Sequence, residues 1–333
     1  MCHLLGRDWG TVRQRLREWY WDAAHKKGEQ RAELDVTSCF VPLLRWILGL
    51  WPEGDKRLAL AMDATSLGDR FTVLAISLLY HRCAIPIAWM VIGASEVGAW
   101  RPHWLGLLAR LQGGIPEDWF VIVAADRGLY ADWLFKAIAD YGWHPFLRIN
   151  ADGKYKRRYG RLERRLSTVL PRPGTHWCGR VVCFKNRPVA CTLLATWTDG
   201  HGQPCLVLTD LLPTQADVGW YRLRAWIECG FKDLKRGGFQ WQHTRITDPA
   251  RTERIWLVLA VAALMLVSMG YETEALPSES DPASPSRTKA SRQLPPLSCL
   301  RRGYLRMLAN SFLGASMPVP RFLAQTWPGY DTS

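Results

Sequence analysis

Four polar side chains recur at helical spacing in YRLRAWIECGFKDLK, residues 221–235. At roughly 100° per residue, Tyr221, Arg224, Glu228 and Lys235 fall within a stripe of about 60°, and Leu223, Trp226, Ile227, Phe231 and Leu234 take the opposite side. The spacing predicts a helix that buries its apolar side and turns the Tyr/Arg/Glu/Lys stripe outward or into a cleft. A solvated face with an ordinary i, i+4 Arg/Glu pair is the plainer account of the same pattern. Two further carboxylates bear on the choice. Asp63 closes the apolar run LALAMDAT and Asp126 closes VIVAADRG, so each reads as an acid at a strand end followed by turn residues. Either one alone fits a turn residue or a helix N-cap. If the two strands are neighbours, both acids emerge on one sheet edge, where Glu228 would complete a three-carboxylate cluster. Such a cluster needs cations, and its all-oxygen donor set suits two hard divalent ions, Mg²⁺ or Mn²⁺. Two such ions about 4 Å apart activate a water or hydroxyl and stabilise the leaving 3′ oxygen of a phosphodiester.

The elements that must position these acids are legible in the hydrophobic period. RLALAMD, FTVLAISLLY and AIPIAWMVI, separated by SLGDR and HRC turns, predict an antiparallel meander beginning at Arg57. Residues 103–112 suit a helix, 120–125 a buried strand, 130–141 a helix and 145–149 a strand, which together indicate a mixed α/β domain. Two short helices are expected within 8–50. KYKRRYGRLERRL then breaks the rhythm with seven Lys or Arg in thirteen residues, and WCGRVVCF, VACTLLATW and CLVLTDLL read as a small β subdomain. Helical spacing returns at 221–235 and 250–270, a Pro/Ser-rich stretch reads as a disordered linker, and CLRRGYLRMLANSFL suits a terminal helix. The expected divisions are a helical region 1–56, a catalytic core 57–150 and 216–270, a β-rich insertion 151–215, a linker 271–297 and a tail 298–333.

Composition narrows the partner. The 333 residues carry 43 Lys and Arg against 30 Asp and Glu, a net charge of +13, so a polyanion is expected. Nine scattered cysteines without a C-x-x-C pair indicate neither a zinc site nor a disulfide framework. The charged N-terminus has no apolar signal core, which leaves the cytoplasm as the expected compartment. The apolar stretch 255–269 falls short of the roughly 20 residues of a bilayer crossing and predicts a buried helix rather than a membrane partner. Lys154, Lys156, Arg157, Arg158 and Arg161, interleaved with Tyr155 and Tyr159, suit phosphate-backbone binding, with a solvated loop as the alternative. His103, His144, His176 and His243 lack ligand spacing. Arg301, Arg302 and Arg306 suit contact with DNA or with a second subunit. The 18 tryptophans suit an aromatic core more than a base-reading surface.

The spacing of Tyr221, Arg224, Glu228 and Lys235 resembles the YREK signature of the DDE transposases of the insertion-sequence-four family, with Asp63 in MDAT and Asp126 in ADRG similar to the family's two catalytic aspartates. TRITDPARTERIWLVLAVAALML resembles the apolar helix that follows, and the likeness runs from about 57 to 270. It implies an α/β, RNase H-like mixed five-stranded sheet of order 3-2-1-4-5, flanked by helices, with a mainly β insertion between the second Asp and the Glu. It implies that Asp63, Asp126 and Glu228 hold two Mg²⁺ or Mn²⁺ ions and that Tyr221, Arg224 and Lys235 contact phosphates near the scissile bond. Arg127 either joins them or forms a structural ion pair. The implied reaction is hydrolysis of one strand at the element's end and attack of the freed 3′-OH on target DNA, in a cut-and-paste, nucleoid-associated homodimer bound to terminal inverted repeats. An RNase H-type two-metal nuclease without strand transfer and an inactive transposase-derived DNA-binding protein are the alternatives. Where relatives stack a flipped base on a Trp, the matching residue is Cys205; Trp177 and Trp197 are the nearest replacements, each better read as core. Only 62 residues precede Asp63, short for the family's end-recognition domain.

Overall fold

Among the described residues, two α-helices precede the first strand. Asp8 caps α1 (Trp9–Tyr20) by accepting from the Thr11 amide at 2.9 Å, and α2 (Phe40–Gly49) buries Phe40, Leu43, Leu44 and Ile47. This is a computed structural model; it describes residues 6–28, 31–96, 100–160, 162–275, 297–316 and 319–329. The apolar runs then fold as β1 (Arg57–Leu67), β2 (Phe71–Tyr80) and β3 (Cys83–Gly93), paired antiparallel as the meander requires. Helix α3 (Arg101–Leu111) leads to β4 (Phe120–Ala125), parallel to β1, and α4 (Asp132–Asp140) leads to β5 (His144–Arg148), parallel to β4.

The sheet does not stop at five strands. β6 (Lys154–Arg157), β7 (Glu163–Arg165), β8 (Thr175–Cys183), β9 (Val189–Trp197) and β10 (Cys205–Thr209) continue it, giving ten strands in the order β3-β2-β1-β4-β5-β10-β9-β8-β6-β7. The expected 3-2-1-4-5 order is its first half, and the expected five-stranded sheet is corrected to ten, because the strands of the β-rich insertion continue it. The joint is antiparallel pairing of Val207 with Arg148 and Leu208 with Leu147, which satisfies the open backbone edge of β5. The cationic run is itself a hairpin: alternation buries Tyr155 and leaves Lys154 and Lys156 outside.

The segment 221–235 is not one regular helix. A 3₁₀ turn (Val218–Arg224) feeds α5 (Ala225–Lys232), which ends in a π turn (Asp233–Gly237). Gly230 lets α5 lie directly on β3, because a Cβ there would stand 2.7 Å from the Ala84 Cβ. Helix α6 (Pro249–Ala275) is long and apolar enough by composition to cross a membrane, yet most of that stretch is buried inside the fold, with Trp256 fully enclosed. Helix α7 (Cys299–Leu313) crosses it at Gly270 and Gly303, where either Cβ would lie 1.8 Å from a facing carbonyl oxygen. Beyond Ala275, the expected linker lies outside the described residues up to 296. The final described stretch crosses back over the domain: Phe322 donates its amide to Leu50 and Gln325 bonds the Leu79 carbonyl. Trp89, Trp104 and Trp256 are core, as expected, but Trp9, Trp19 and Trp46 are 68%, 44% and 43% exposed. The last two line an apolar hollow of about 850 Å³ between α1, α2 and α6.

Candidate active site

Register brings the two aspartates together. β1 pairs with β4 only as far as Met62 opposite Ala125, so Asp63 and Asp126 are each the next residue beyond the last shared pair. β1 itself continues to Leu67 against β2, which corrects the expectation that Asp63 ends its strand. It stands instead where β1 loses one neighbour, so that a gap opens beside it in the sheet.

The 3₁₀ turn before α5 delivers Arg224 into that gap. Its Nη2 donates to Asp63 Oδ2 at 2.7 Å and lies 3.8 Å from Asp126 Oδ2, while Nη1 donates to Glu228 Oε1. One buried guanidinium therefore faces three carboxylates from β1, the end of β4 and α5. Asp63 Oδ1 accepts the Ala64 amide at 2.9 Å, whereas Asp126 Oδ1 is buried without a hydrogen bond, with Arg148 Nη1 at 3.9 Å. Burial pushes the Asp63 carboxyl above the ordinary carboxylate range against the pull of Arg224, with Glu228 and Asp126 adding to the rise. Burial alone would lower Arg224, but Asp63 and its other anionic neighbours outweigh it and raise it.

Among the described residues, no three His, Cys, Asp or Glu side chains are grouped as a ready metal site, because each of these carboxylates turns to Arg224. The donor chemistry nonetheless fits a hard divalent cation: all donors are carboxylate oxygens, and Asp126 Oδ1 is a buried acceptor without a donor.

The remaining expected site residues divide. Tyr221 is buried, its hydroxyl donating to the Ala125 carbonyl at 3.4 Å, and burial raises its pKa, so it does not share an exposed stripe with Glu228. Tyr221 and Arg224 lie in the 3₁₀ turn rather than in α5, and both are buried there, whereas Glu228 on α5 is exposed. Lys235 Nζ donates to the Ser66 carbonyl at 2.5 Å, and burial lowers its pKa. Arg127 donates to Gln203 at 3.0 Å. Lys154 pairs with Glu163 at 2.8 Å, Lys156 is exposed, Arg157 stands over Trp177 and Arg158 over Tyr159, while Arg161 lies outside the described residues. Among the described residues, no hydrogen bond or ion pair joins this hairpin to the three carboxylates.

A cavity of about 510 Å³ opens beside the carboxylates, lined by Arg148, Cys205, Tyr221, Arg222, Arg224 and Glu228 among others. Cys205 thus stands at the site, and neither Trp177 nor Trp197 lines it; Trp197 donates to the His201 carbonyl and Trp177 tilts against Tyr155. Sequence reasoning missed Arg148 and Arg222. Arg148 carried one usable signal, since it ends the strand that pairs with the one leading to Asp126. His144 pairs with Asp210 at 3.0 Å and His103 with Glu96 at 2.9 Å, outside this site.

The family described as Transposase DDE domain matches residues 98–266, just over half of the chain, a span that includes Asp126 and Glu228 and begins after Asp63. No curated protein matches the chain. Among solved structures, the piggyBac transposase synaptic complex with hairpin DNA is similar at 15% identity over 46% of this chain, with a TM-score of 0.31. The chain spans 33% of that protein's length. Human ENDOV is similar at 11% identity over 68% of this chain and 95% of that one, with a TM-score of 0.26. The C-terminal lobe of a budding yeast Argonaute is similar at 13% identity over 71% and 51%, with a TM-score of 0.24.

Proposed function

This chain belongs to the Transposase DDE domain family, and from that premise we propose that it is a cut-and-paste transposase of the insertion-sequence-four kind, working on an RNase H-like core. It would hydrolyse one strand at an element end and join the freed 3′-OH to target DNA. The observation that carries this reading is the convergence of Asp63, Asp126 and Glu228, from three separate elements, on the one guanidinium of Arg224. Carboxylates are gathered in this way where positive charge is to be held, and the strand order β3-β2-β1-β4-β5 provides the edge on which they meet.

Asp63, Asp126 and Glu228 are the residues that would hold two Mg²⁺ or Mn²⁺ ions. When bound, such ions supply Lewis acidity at the phosphodiester and a lowered pKa for the attacking water or hydroxyl. The chain's own cations have separate work. Arg224 balances the carboxylate charge inside the protein. Arg148 and Arg222 line the adjoining cavity, where they suit the phosphates of a bound strand; Arg127, bonded to Gln203 in its lining, and Lys235 are the further phosphate contacts. Tyr221 positions the end of β4 through its bond to the Ala125 carbonyl, immediately before Asp126. The DNA partners are the element's terminal inverted repeats and a target duplex, bound by a homodimer in the nucleoid.

A nuclease built on the same carboxylates would cut without joining. Incubating the protein with a pre-cleaved element end and a supercoiled target separates the two. Joined product in Mg²⁺ is the expected result; nicking of the target without joining would replace this reading with the nuclease.

A further inference from the structure

Phe184 follows β8 with φ 64°, in the left-handed region that a bulky side chain enters only at a steric cost. Its ring stacks on that of Tyr130, with centroids 6.4 Å apart and planes 25° from parallel. Tyr130 comes directly after the tight turn in which the Leu129 amide donates to the Asp126 carbonyl at 2.8 Å, so it belongs to the loop that leaves the carboxylate site. Both rings line a cavity of about 560 Å³, distinct from the one beside Arg224, whose walls also carry Lys154, Lys156 and Lys185. Glu163 and Asp152, also in its lining, offset part of that charge. The hydrogen bond from Lys154 holds the Glu163 carboxyl below its usual range, with Lys156 and Lys185 acting in the same direction, so the cations act on one point.

Aromatic faces bordered by cations are the chemistry that binds unpaired nucleotides, the base stacking on a ring and the phosphates meeting lysines. A base inside a duplex is already stacked and cannot enter such a cavity. We propose that this pocket takes the base of an unpaired DNA nucleotide against Tyr130 and Phe184 while Lys154, Lys156 and Lys185 hold its flanking phosphates. The inference rests on the DNA-processing reading above and adds a site which that reading does not use. The nucleotide comes either from a single-stranded tail at an element end or from a target strand that has been opened.

Fluorescence anisotropy in EDTA, where no cleavage intrudes, tests it with blunt duplex, duplexes carrying a 5′ or 3′ tail, and duplex with an internal bubble. The 333-residue chain is expected to bind a tailed or bubbled duplex roughly tenfold tighter than the blunt one. Preference for a tail assigns the nucleotide to the element end, and preference for the bubble assigns it to the target. Tyr130→Ala and Phe184→Gly, the latter suited to the left-handed backbone, should erase the preference and leave blunt-duplex affinity unchanged, while Tyr130→Phe retains it. Equal affinity for all four DNAs, or variants that weaken all four alike, would overturn the pocket while the DNA-processing reading stands. Binding to none of them would overturn that reading itself.

Discussion

Arg224 is the residue on which the site's charge balance turns, since a single buried guanidinium answers Asp63, Asp126 and Glu228 together. Removing one partner of a buried ion cluster leaves the others desolvated and uncompensated, at a cost of several kcal/mol, reduced here because Glu228 is largely exposed. Arg224→Ala should therefore lower the melting temperature in EDTA by roughly 4–8 °C, with Mn²⁺ restoring most of the loss by taking over the carboxylates. A variant that melts like the parent in EDTA would contradict that role. Glu228→Gln removes an anionic donor without a phosphate contact, so end cleavage should vanish while DNA affinity in a gel-shift assay is retained. Lys235→Ala, if Lys235 meets a phosphate, should flatten the salt dependence of binding by about one unit of slope; an unchanged slope would confine Lys235 to its bond with Ser66.

At the scale of elements, two junctions are exposed to single substitutions. Gly270→Ala would drive a methyl into the Cys299 carbonyl, so α6 and α7 must separate; a loss of about 1–3 kcal/mol in denaturant unfolding is expected. Asp22 ties the end of α1 to α6 through Arg251 at 2.8 Å and the buried Arg254 at 2.9 Å. Hydrogen bonds from Arg251 and then Arg254 hold its carboxyl well below the ordinary range. A depressed carboxylate stabilises the fold above its unfolded pKa and loses that contribution as pH falls through the folded one. Asp22→Asn should thus cost about 1 kcal/mol at pH 7, discounted for its partial exposure, and the gap from the parent should narrow below about pH 4. A gap that widens in acid would reverse the assignment. Most of these elements were legible because their period is local: FTVLAISLLY, FVIVAA and VACTLLATW are β2, β4 and β9 residue for residue, and CLRRGYLRMLANSFL is α7. The pairing of β5 with β10 was not legible, because alternation specifies which face of a strand is buried but not which strand lies beside it. The candidate site was half legible for the same reason. Acids closing apolar runs picked out Asp63 and Asp126, but the burial of Tyr221 and Arg224 depends on what packs over the 3₁₀ turn, which spacing within one segment does not encode.

Across the whole molecule, one ten-stranded sheet carries the carboxylate edge in its first half and the cationic hairpin at its far end. The chain's last described residues bind the first half together: Trp327 packs against Phe120 and Trp220 and lies under Arg57, and Gly219 meets Gly329 so closely that a Cβ would stand 2.6 Å from its carbonyl carbon. That contact fixes the start of the 3₁₀ turn carrying Arg224, so Trp327→Ala should lower stability by about 3–5 kcal/mol and DNA cleavage with it; full cleavage at unchanged stability would separate the strap from the site. The net charge of +13 suits a polyanionic substrate handled along this length. The central claim is that Asp63, Asp126 and Glu228 carry the chemistry as one unit. It is tested most directly by Mg²⁺-dependent cleavage of a duplex ending in the terminal inverted repeat proposed as its substrate. The parent should cut at the repeat's edge, and Asp63→Ala, Asp126→Ala and Glu228→Gln should each lose cleavage while still shifting the same duplex. Unchanged cleavage by Asp63→Ala would contradict the account.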